Sequence, residues 1–313
     1  MTSFKGFNPE TDIPSLTGKV ILITGGSSPP PSSQSSTNNS SGTSGLGRSA
    51  ILTLASHNPS HIYFTGRSSA SASSLISAIS PVPATFLECD LTSIASMRSV
   101  AKKFTHDRLD VFIANAGVMA VDGLTQDGLE LQFGVNHVGN TTLLMALLPT
   151  MQKTAEKSEV RFVSVTSLGY AGHPKQGIEF ETLHSLQEHL PFGTWSRYGQ
   201  SKLANIVLAK ELERRCPAIK SVVVHPGVIA TNLVTGLGFW KRMFVYVTNP
   251  SMMTVEQGGY NTAWASAGDV KRDETVAFYE PVGKANKGDD MCFSEELGKK
   301  LWQWTEEKIE SVK

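Results

Sequence analysis

Lys19-Val-Ile-Leu-Ile-Thr-Gly-Gly26 and Thr43-Ser-Gly-Leu-Gly47 are the two stretches on which the fold of this chain turns. The first is an apolar run ending in Thr24 and two glycines, the pattern of a strand buried on both faces. The second opens a helix-like segment, Arg48–Ala55. Joined, they read Thr24-Gly-Gly-Thr43-Ser-Gly-Leu-Gly47, a Thr-Gly-x-x-x-Gly-x-Gly loop at a strand–helix junction. Glycines there permit a tight turn and let backbone N–H groups approach a pyrophosphate at the helix N-terminus. Gly25, Ser44, Gly45, Leu46 and Gly47 are the candidates for such a cradle.

The two pieces are separated by Ser27–Gly42, sixteen residues of which eight are Ser, with no charge and no large apolar side chain. That composition cannot bury enough surface to offset ordering and predicts a disordered segment. Two readings stand. One is a tolerated surface insertion, whose closure costs only about 1–2 kcal/mol. The other is a segment foreign to the working protein, since sixteen codons keep the frame and suit a short retained intron. Sequencing the spliced transcript separates them.

Outward from the first strand, short apolar runs alternate with longer helical stretches. His61–Thr65, Ala84–Cys89, Asp110–Ala114, Val160–Thr166, Ser221–His225 and Val276–Tyr279 read as further strands. Ser93–Phe104, Leu129–Met151, Arg197–Arg215 and the stretch from Ser294 read as helices, with Gly169–Thr194 and Gly236–Thr254 irregular. Alternation of this kind predicts an α/β chain. Its sheet would be doubly wound and parallel, of about seven strands with helices on both faces, in one Rossmann-type domain. The 313 residues are charge-balanced, 28 basic against 28 acidic, which gives no support for a nucleic-acid partner. Cys89, Cys216 and Cys292 lie far apart without metal-ligand spacing and read as reduced packing residues. With no apolar leader and no run near the length of a membrane span, the expectation is a soluble, cytoplasmic protein without a transmembrane segment.

The remaining signals follow the strands. After the second, Thr65-Gly66-Arg67 has no acid for a ribose 2′-hydroxyl, whereas Arg67 can pair with a 2′-phosphate, which points to NADP(H). A merely solvated arginine is the alternative. Asp90-Leu91 follows the third, where a carboxylate can accept from an adenine amine or cap a helix. Asn115-Ala116-Gly117 ends the fourth, with small residues where a backbone must approach a flat ring; Asn115 reads equally as a strand brace. Tyr198 and Lys202 are four apart on a helix and face one way. An ammonium beside a phenol favours the phenolate, so Lys202 is expected to pull the Tyr198 pKa down.

In this order the motifs resemble the short-chain dehydrogenase/reductase family over about residues 16 to 310. Ser201-Lys-Leu-Ala-Asn-Ile206, the long gap from Ser167 to Tyr198 and the Leu-Trp…Thr-Glu-Glu ending resemble its retinol-dehydrogenase-like branch. The resemblance implies an NADP(H)-dependent oxidoreductase that interconverts a carbonyl and an alcohol on a hydrophobic small molecule. It implies that Tyr198 is the acid/base and that Lys202 tunes it and holds the nicotinamide ribose. Ser167, rather than Thr166, would bind the substrate oxygen. Asn136 would hold a relay water, or brace a bent helix, or both. Pro226, Gly227 and Thr231 would close on the nicotinamide, and the aromatic stretch Leu233–Met253 would line the substrate mouth. His137 and His225 are read as structural. Homo-oligomers occur in the family and are possible here. The divided glycine loop keeps an alternative open: a cofactor-binding scaffold or inactive isoform.

Overall fold

The computed structural model describes residues 4, 6–26, 45–227 and 253–312. Ser27–Gly42, Ser44, Thr231 and all of the 233–253 stretch except Met253 lie outside the described residues.

Eight strands form one sheet in the order β3-β2-β1-β4-β5-β6-β7-β8. They are β1 (Val20–Ile23), β2 (His61–Gly66), β3 (Ala84–Glu88), β4 (Val111–Ala114), β5 (Val160–Val165), β6 (Ile219–Val224), β7 (Phe278–Glu280) and β8 (Lys284–Asn286). The first seven pair in parallel, and β8 turns back antiparallel on the edge. The expected parallel sheet of about seven strands is present, and β8 is an antiparallel addition to its edge. Lys284-Ala-Asn carries no β-branched or aromatic residue to mark it as a strand, and it pairs because the turn through Gly283 (φ +71°) returns the chain onto β7.

The apolar runs are continuous because both faces of the sheet are covered. Val20 and Leu22 point into a core shared with Phe112, Phe162 and Leu203. Ile21 and Ile23 point the other way, onto Ile51, Leu54 and Tyr260. The helices are α1 (Leu46–Ala55), α2 (Ser69–Ala78), α3 (Ile94–Lys102), α4 (Leu131–Phe133), α5 (Asn140–Ala155), α6 (Thr194–Arg215), α7 (Tyr260–Ala267) and α8 (Glu295–Ser311). A π turn, Gly134–Gly139, joins α4 to α5 without a break. Neither α2 nor α7 is anticipated by the sequence pattern. In α2, only Ala72 and Leu75 are buried, and the helix starts because the Ser68 side chain accepts from the Ser71 N–H.

Since β1 lies between β2 and β4, the chain winds away from it in both directions. Such a switch point leaves a crevice outside the carboxyl ends of the two central strands, here Thr24-Gly25 and Asn115-Ala116. No helix among the described residues is long and apolar enough to cross a membrane. Cys89, Cys216 and Cys292 are free and buried.

Candidate active site

At the crevice the glycines are held where side chains do not fit. Gly25 (φ +78°) and Gly45 (φ +107°) occupy the left-handed region, which glycine enters without the Cβ penalty. A Cβ on Gly47 would stand 2.7 Å from both the Gly25 carbonyl oxygen and Asn115 Nδ2. Gly45 and Leu46 open α1, so its first N–H groups border the cradle. Among the described residues, the cradle is bare backbone at a helix N-terminus, the kind of surface a pyrophosphate would need. Arg67 stands exposed just past β2, with no hydrogen bond or ion pair to its guanidinium among the described residues.

Asp90 is not a helix cap. Ser93 caps α3, while Asp90 Oδ1 accepts from the Thr92 N–H (2.9 Å) and hydroxyl (2.8 Å). Its Oδ2 accepts from Gln126 Nε2 at 2.8 Å. Leu91 is half-buried behind it, and its carbonyl oxygen lies 2.6 Å from where a Cβ on Gly139 would sit. Asn115 acts as the brace: its Nδ2 donates to the Thr24 carbonyl at 2.8 Å. The N–H groups of Asn115 and Ala116 both donate to Thr24 Oγ1 at 3.0 Å. Gly117 follows, with space for no side chain beside Asn136 Oδ1 (2.9 Å) and Lys202 Nζ (3.4 Å). Pro226 is buried, and Gly227 (φ +95°) turns the chain at the end of β6.

Tyr198 and Lys202 lie on one face of α6, with Lys202 Nζ 5.7 Å from the centre of the phenol ring. Both are buried, and burial disfavours the charged form of each. Lys202 is pushed down to about 8. Tyr198 is pushed up to about 12, and the interaction opposing that rise is a side-chain hydrogen bond with Ser167. The expectation that Lys202 pulls the Tyr198 pKa down is thus reversed in the chain by itself: desolvation outweighs the cation at this distance. Lys202 Nζ donates to the Val165 carbonyl at 3.2 Å. The choice between Thr166 and Ser167 is also legible here. Thr166 Oγ1 donates to the Lys202 carbonyl at 2.9 Å and is committed to holding α6. Ser167 faces the phenol and accepts only from the Gly169 N–H, at 3.1 Å, among the backbone groups described.

Asn136 sits in the π turn with its amide fully engaged. Oδ1 accepts from the Val118 N–H at 2.7 Å. Nδ2 donates to the Val118 carbonyl (3.0 Å) and to Ser201 Oγ (2.9 Å). This is the bracing role. His137 and His225 are held neutral by burial, at about 3 and about 4. His137 Nε2 pairs with Thr305 Oγ1 of α8 at 2.9 Å, away from the crevice.

Three features at the site escape the sequence pattern. Arg197, buried beside Tyr198, bonds the Leu186 carbonyl and the Asp122 carboxylate, and its Nε lies 3.8 Å from Glu130. It ties two loops and the start of α4 to the start of α6. Asn140 reads in the sequence only as part of an Asn-Thr-Thr glycosylation pattern, yet it is buried and bonded on all sides. The third is a run of exposed apolar side chains, of which Trp195 lies against Tyr198. Leu168, Leu186, Phe192 (84% exposed) and Trp195 (41% exposed) all fall between Ser167 and Tyr198. Trp195 meets the Tyr198 ring edge-on, 6.5 Å between centres.

Residues 40–176 match the family described as short chain dehydrogenase. The chain is 30% identical over 95% of its length to the short-chain dehydrogenase/reductase drtF of Aspergillus calidoustus, covering 95% of that protein. It is 36% identical over 87% of its length to the uncharacterized oxidoreductase C736.13 of Schizosaccharomyces pombe, covering 84% of it. Its fold matches the crystal structure of an uncharacterized protein from Mycobacterium paratuberculosis with a TM-score of 0.71 at 25% identity, covering 96% of this chain and 97% of that one. On these likenesses the chain belongs to the short-chain dehydrogenase/reductase family, oxidoreductases that use nicotinamide cofactors.

Proposed function

We propose that this chain is an NADP(H)-dependent reductase or dehydrogenase that interconverts a carbonyl and an alcohol on a hydrophobic small molecule. The observation that carries the reading is the gathering of Ser167 Oγ and the Tyr198 ring around Gly169, beside buried Lys202, at the carboxyl edge of the sheet. Gly25, Ser44, Gly45, Leu46, Gly47, Asp90, Leu91, Asn115, Ala116, Gly117, Pro226, Gly227 and Thr231 are the residues assigned to the cofactor, and Arg67 to its 2′-phosphate. When bound, the nicotinamide supplies or takes the hydride at the substrate carbon.

A phenol at about 12 is protonated at neutral pH and is a donor ready for a carbonyl oxygen. Ser167 holds the substrate oxygen and stabilises charge developing on it. In reduction the Tyr198 proton passes to that oxygen, and buried Lys202, 5.7 Å from the ring centre, is assigned to hold the nicotinamide ribose. The exposed apolar run from Leu168 to Trp195 supports a hydrophobic substrate, as does the aromatic composition of Leu233–Met253. One catalytic domain, a place in the retinol-dehydrogenase-like branch and a cytoplasmic location complete the reading. The test is NADPH against NADH with a panel of aldehydes, ketones, retinoids and steroids. Turnover that survives Tyr198→Phe at the parent rate overturns the assigned roles.

The divided glycine motif favours a second reading, a cofactor-binding protein without turnover. Titration of NADPH into the parent and into a chain lacking Ser27–Gly42 separates the two. Equal affinity removes the reason for the second reading.

A further inference from the structure

A π turn makes each N–H reach back five residues instead of four, so it holds one extra residue and disturbs the normal pairing of the carbonyls around it. In Gly134–Gly139 that disturbance coincides with one side chain. Asn140 Nδ2 donates to the carbonyls of Val135 (3.1 Å), Asn136 (3.1 Å) and, across the crevice, Ala116 (3.0 Å). Its Oδ1 accepts from Thr24 Oγ1 at 2.6 Å. Thr24 Oγ1 is itself the acceptor for the N–H groups of Asn115 and Ala116. Asn140 is 3% exposed, so each of these groups would lack a water to replace it.

The bonds form a continuous path. It runs from Thr24, where β1 enters the glycine cradle, through Asn140 to the Asn136 carbonyl. From Asn136 Nδ2 it continues to Ser201 Oγ at 2.9 Å, and Ser201 Oγ donates to the Tyr198 carbonyl at 2.8 Å. Ser201 adjoins Lys202. We infer that Asn140 is a positioning residue: its amide stabilises the π register, which aims Asn136 at Val118 and Ser201 and so fixes the turn of α6 that carries Tyr198 and Lys202. An α register would rotate Asn136 by about 100° and remove those bonds. The effect on turnover rests on the oxidoreductase reading above; the effect on the helix does not.

The test uses the full chain with Asn140→Leu, which keeps the volume and removes every polar contact, and Asn140→Ser, which keeps one donor within reach of the Asn136 carbonyl. Crystal structures come first. The expected result for Asn140→Leu is an α register through residues 134–139 and loss of the Asn136–Ser201 bond. An unchanged π turn with that bond intact overturns the inference, whether or not the protein has turnover. Kinetics follow, with Asn136→Ala as the partner. Misplacing a catalytic group by about 1 Å costs on the order of 100-fold in rate, so Asn140→Leu should lose about that much in kcat, and Asn140→Ser less. The double variant with Asn136→Ala should be no slower than the worse single variant within about twofold, because both act through one geometry. Losses that multiply overturn the inference. If Asn140→Leu does not fold, Asn140→Ser carries the same cycle. A parent without nicotinamide-dependent turnover refutes the oxidoreductase reading and leaves the crystallographic comparison to decide the role of Asn140.

Discussion

Lys202→Met should make the cofactor-free protein more stable at neutral pH while abolishing turnover. The lysine is 2% exposed and is pushed from an ordinary 10.5 down to about 8. Each tenfold change in proton affinity is 1.36 kcal/mol, so holding this ammonium in the folded chain at pH 7 costs roughly 3 kcal/mol relative to the unfolded chain. Methionine carries no charge and has a similar unbranched stem. It gives up the bond from Nζ to the Val165 carbonyl, worth about 1 kcal/mol. That carbonyl is not orphaned, because Asn205 Nδ2 also donates to it at 3.1 Å. The expected net gain is about 2 kcal/mol at pH 7, read as a higher urea midpoint in the absence of cofactor. The folded value lies below the unfolded one, so between pH 8 and 10.5 the unfolded chain binds more protons and the parent gains stability as pH rises. The advantage of the variant should therefore shrink across that window and vanish by its upper end. A variant less stable than the parent at pH 7, or a gap that does not change from pH 7 to 10.5, refutes the argument that burial dominates at Lys202.

Ser167→Ala removes the one hydrogen bond that opposes the rise of Tyr198 to about 12, so the phenol should titrate higher still. In alcohol oxidation, which needs the phenolate, the rising limb of the kcat profile should move to higher pH, and a limb that stays in place contradicts the assignment. Thr24→Val keeps the shape but leaves the buried Ala116 N–H without its acceptor and buried Asn140 Oδ1 without its donor, while the Asn115 N–H keeps the Ile113 carbonyl at 3.1 Å. At about 1–3 kcal/mol for each unsatisfied group, a loss of about 2–4 kcal/mol is expected in urea unfolding, and a loss below about 1 kcal/mol argues against the brace. Arg67→Glu should weaken NADPH binding by about 10- to 100-fold, the worth of a charge-assisted bond, with NADH little changed. Equal weakening of both cofactors shows that Arg67 does not read the 2′-phosphate.

The parts of the fold legible in the sequence are those whose physical cause is local. A strand buried on both faces has to be a continuous apolar run, so β1, β2, β4, β5 and β6 stand out. A left-handed turn favours glycine, so Gly25 and Gly45 mark the cradle. Tyr198 and Lys202 are legible because four residues bring side chains to one face of any helix. What is not legible depends on partners distant in sequence. Nothing in the sequence ties Asn140 to Thr24, 116 positions away, yet the two share a hydrogen bond. Nothing in it ties Arg197 to Asp122 or to the Leu186 carbonyl, both of which bond its guanidinium. The pKa of Tyr198 depends on how dry its surroundings are, and sequence spacing reports the charge nearby but not the depth of burial. Helix α2 escapes because serines do not announce a buried stripe.

The antiparallel β8 has one more consequence. A sheet edge is a template: its free N–H and C=O groups invite another strand, and a long parallel edge would let chains add on without limit. Here the last strand offers three residues, begins with exposed Lys284, and ends before the turn at Gly288 (φ +62°). Along this side the sheet is closed to growth by brevity and charge, so that strand-to-strand polymerisation, the route by which exposed edges lead to aggregates, finds almost no backbone to join.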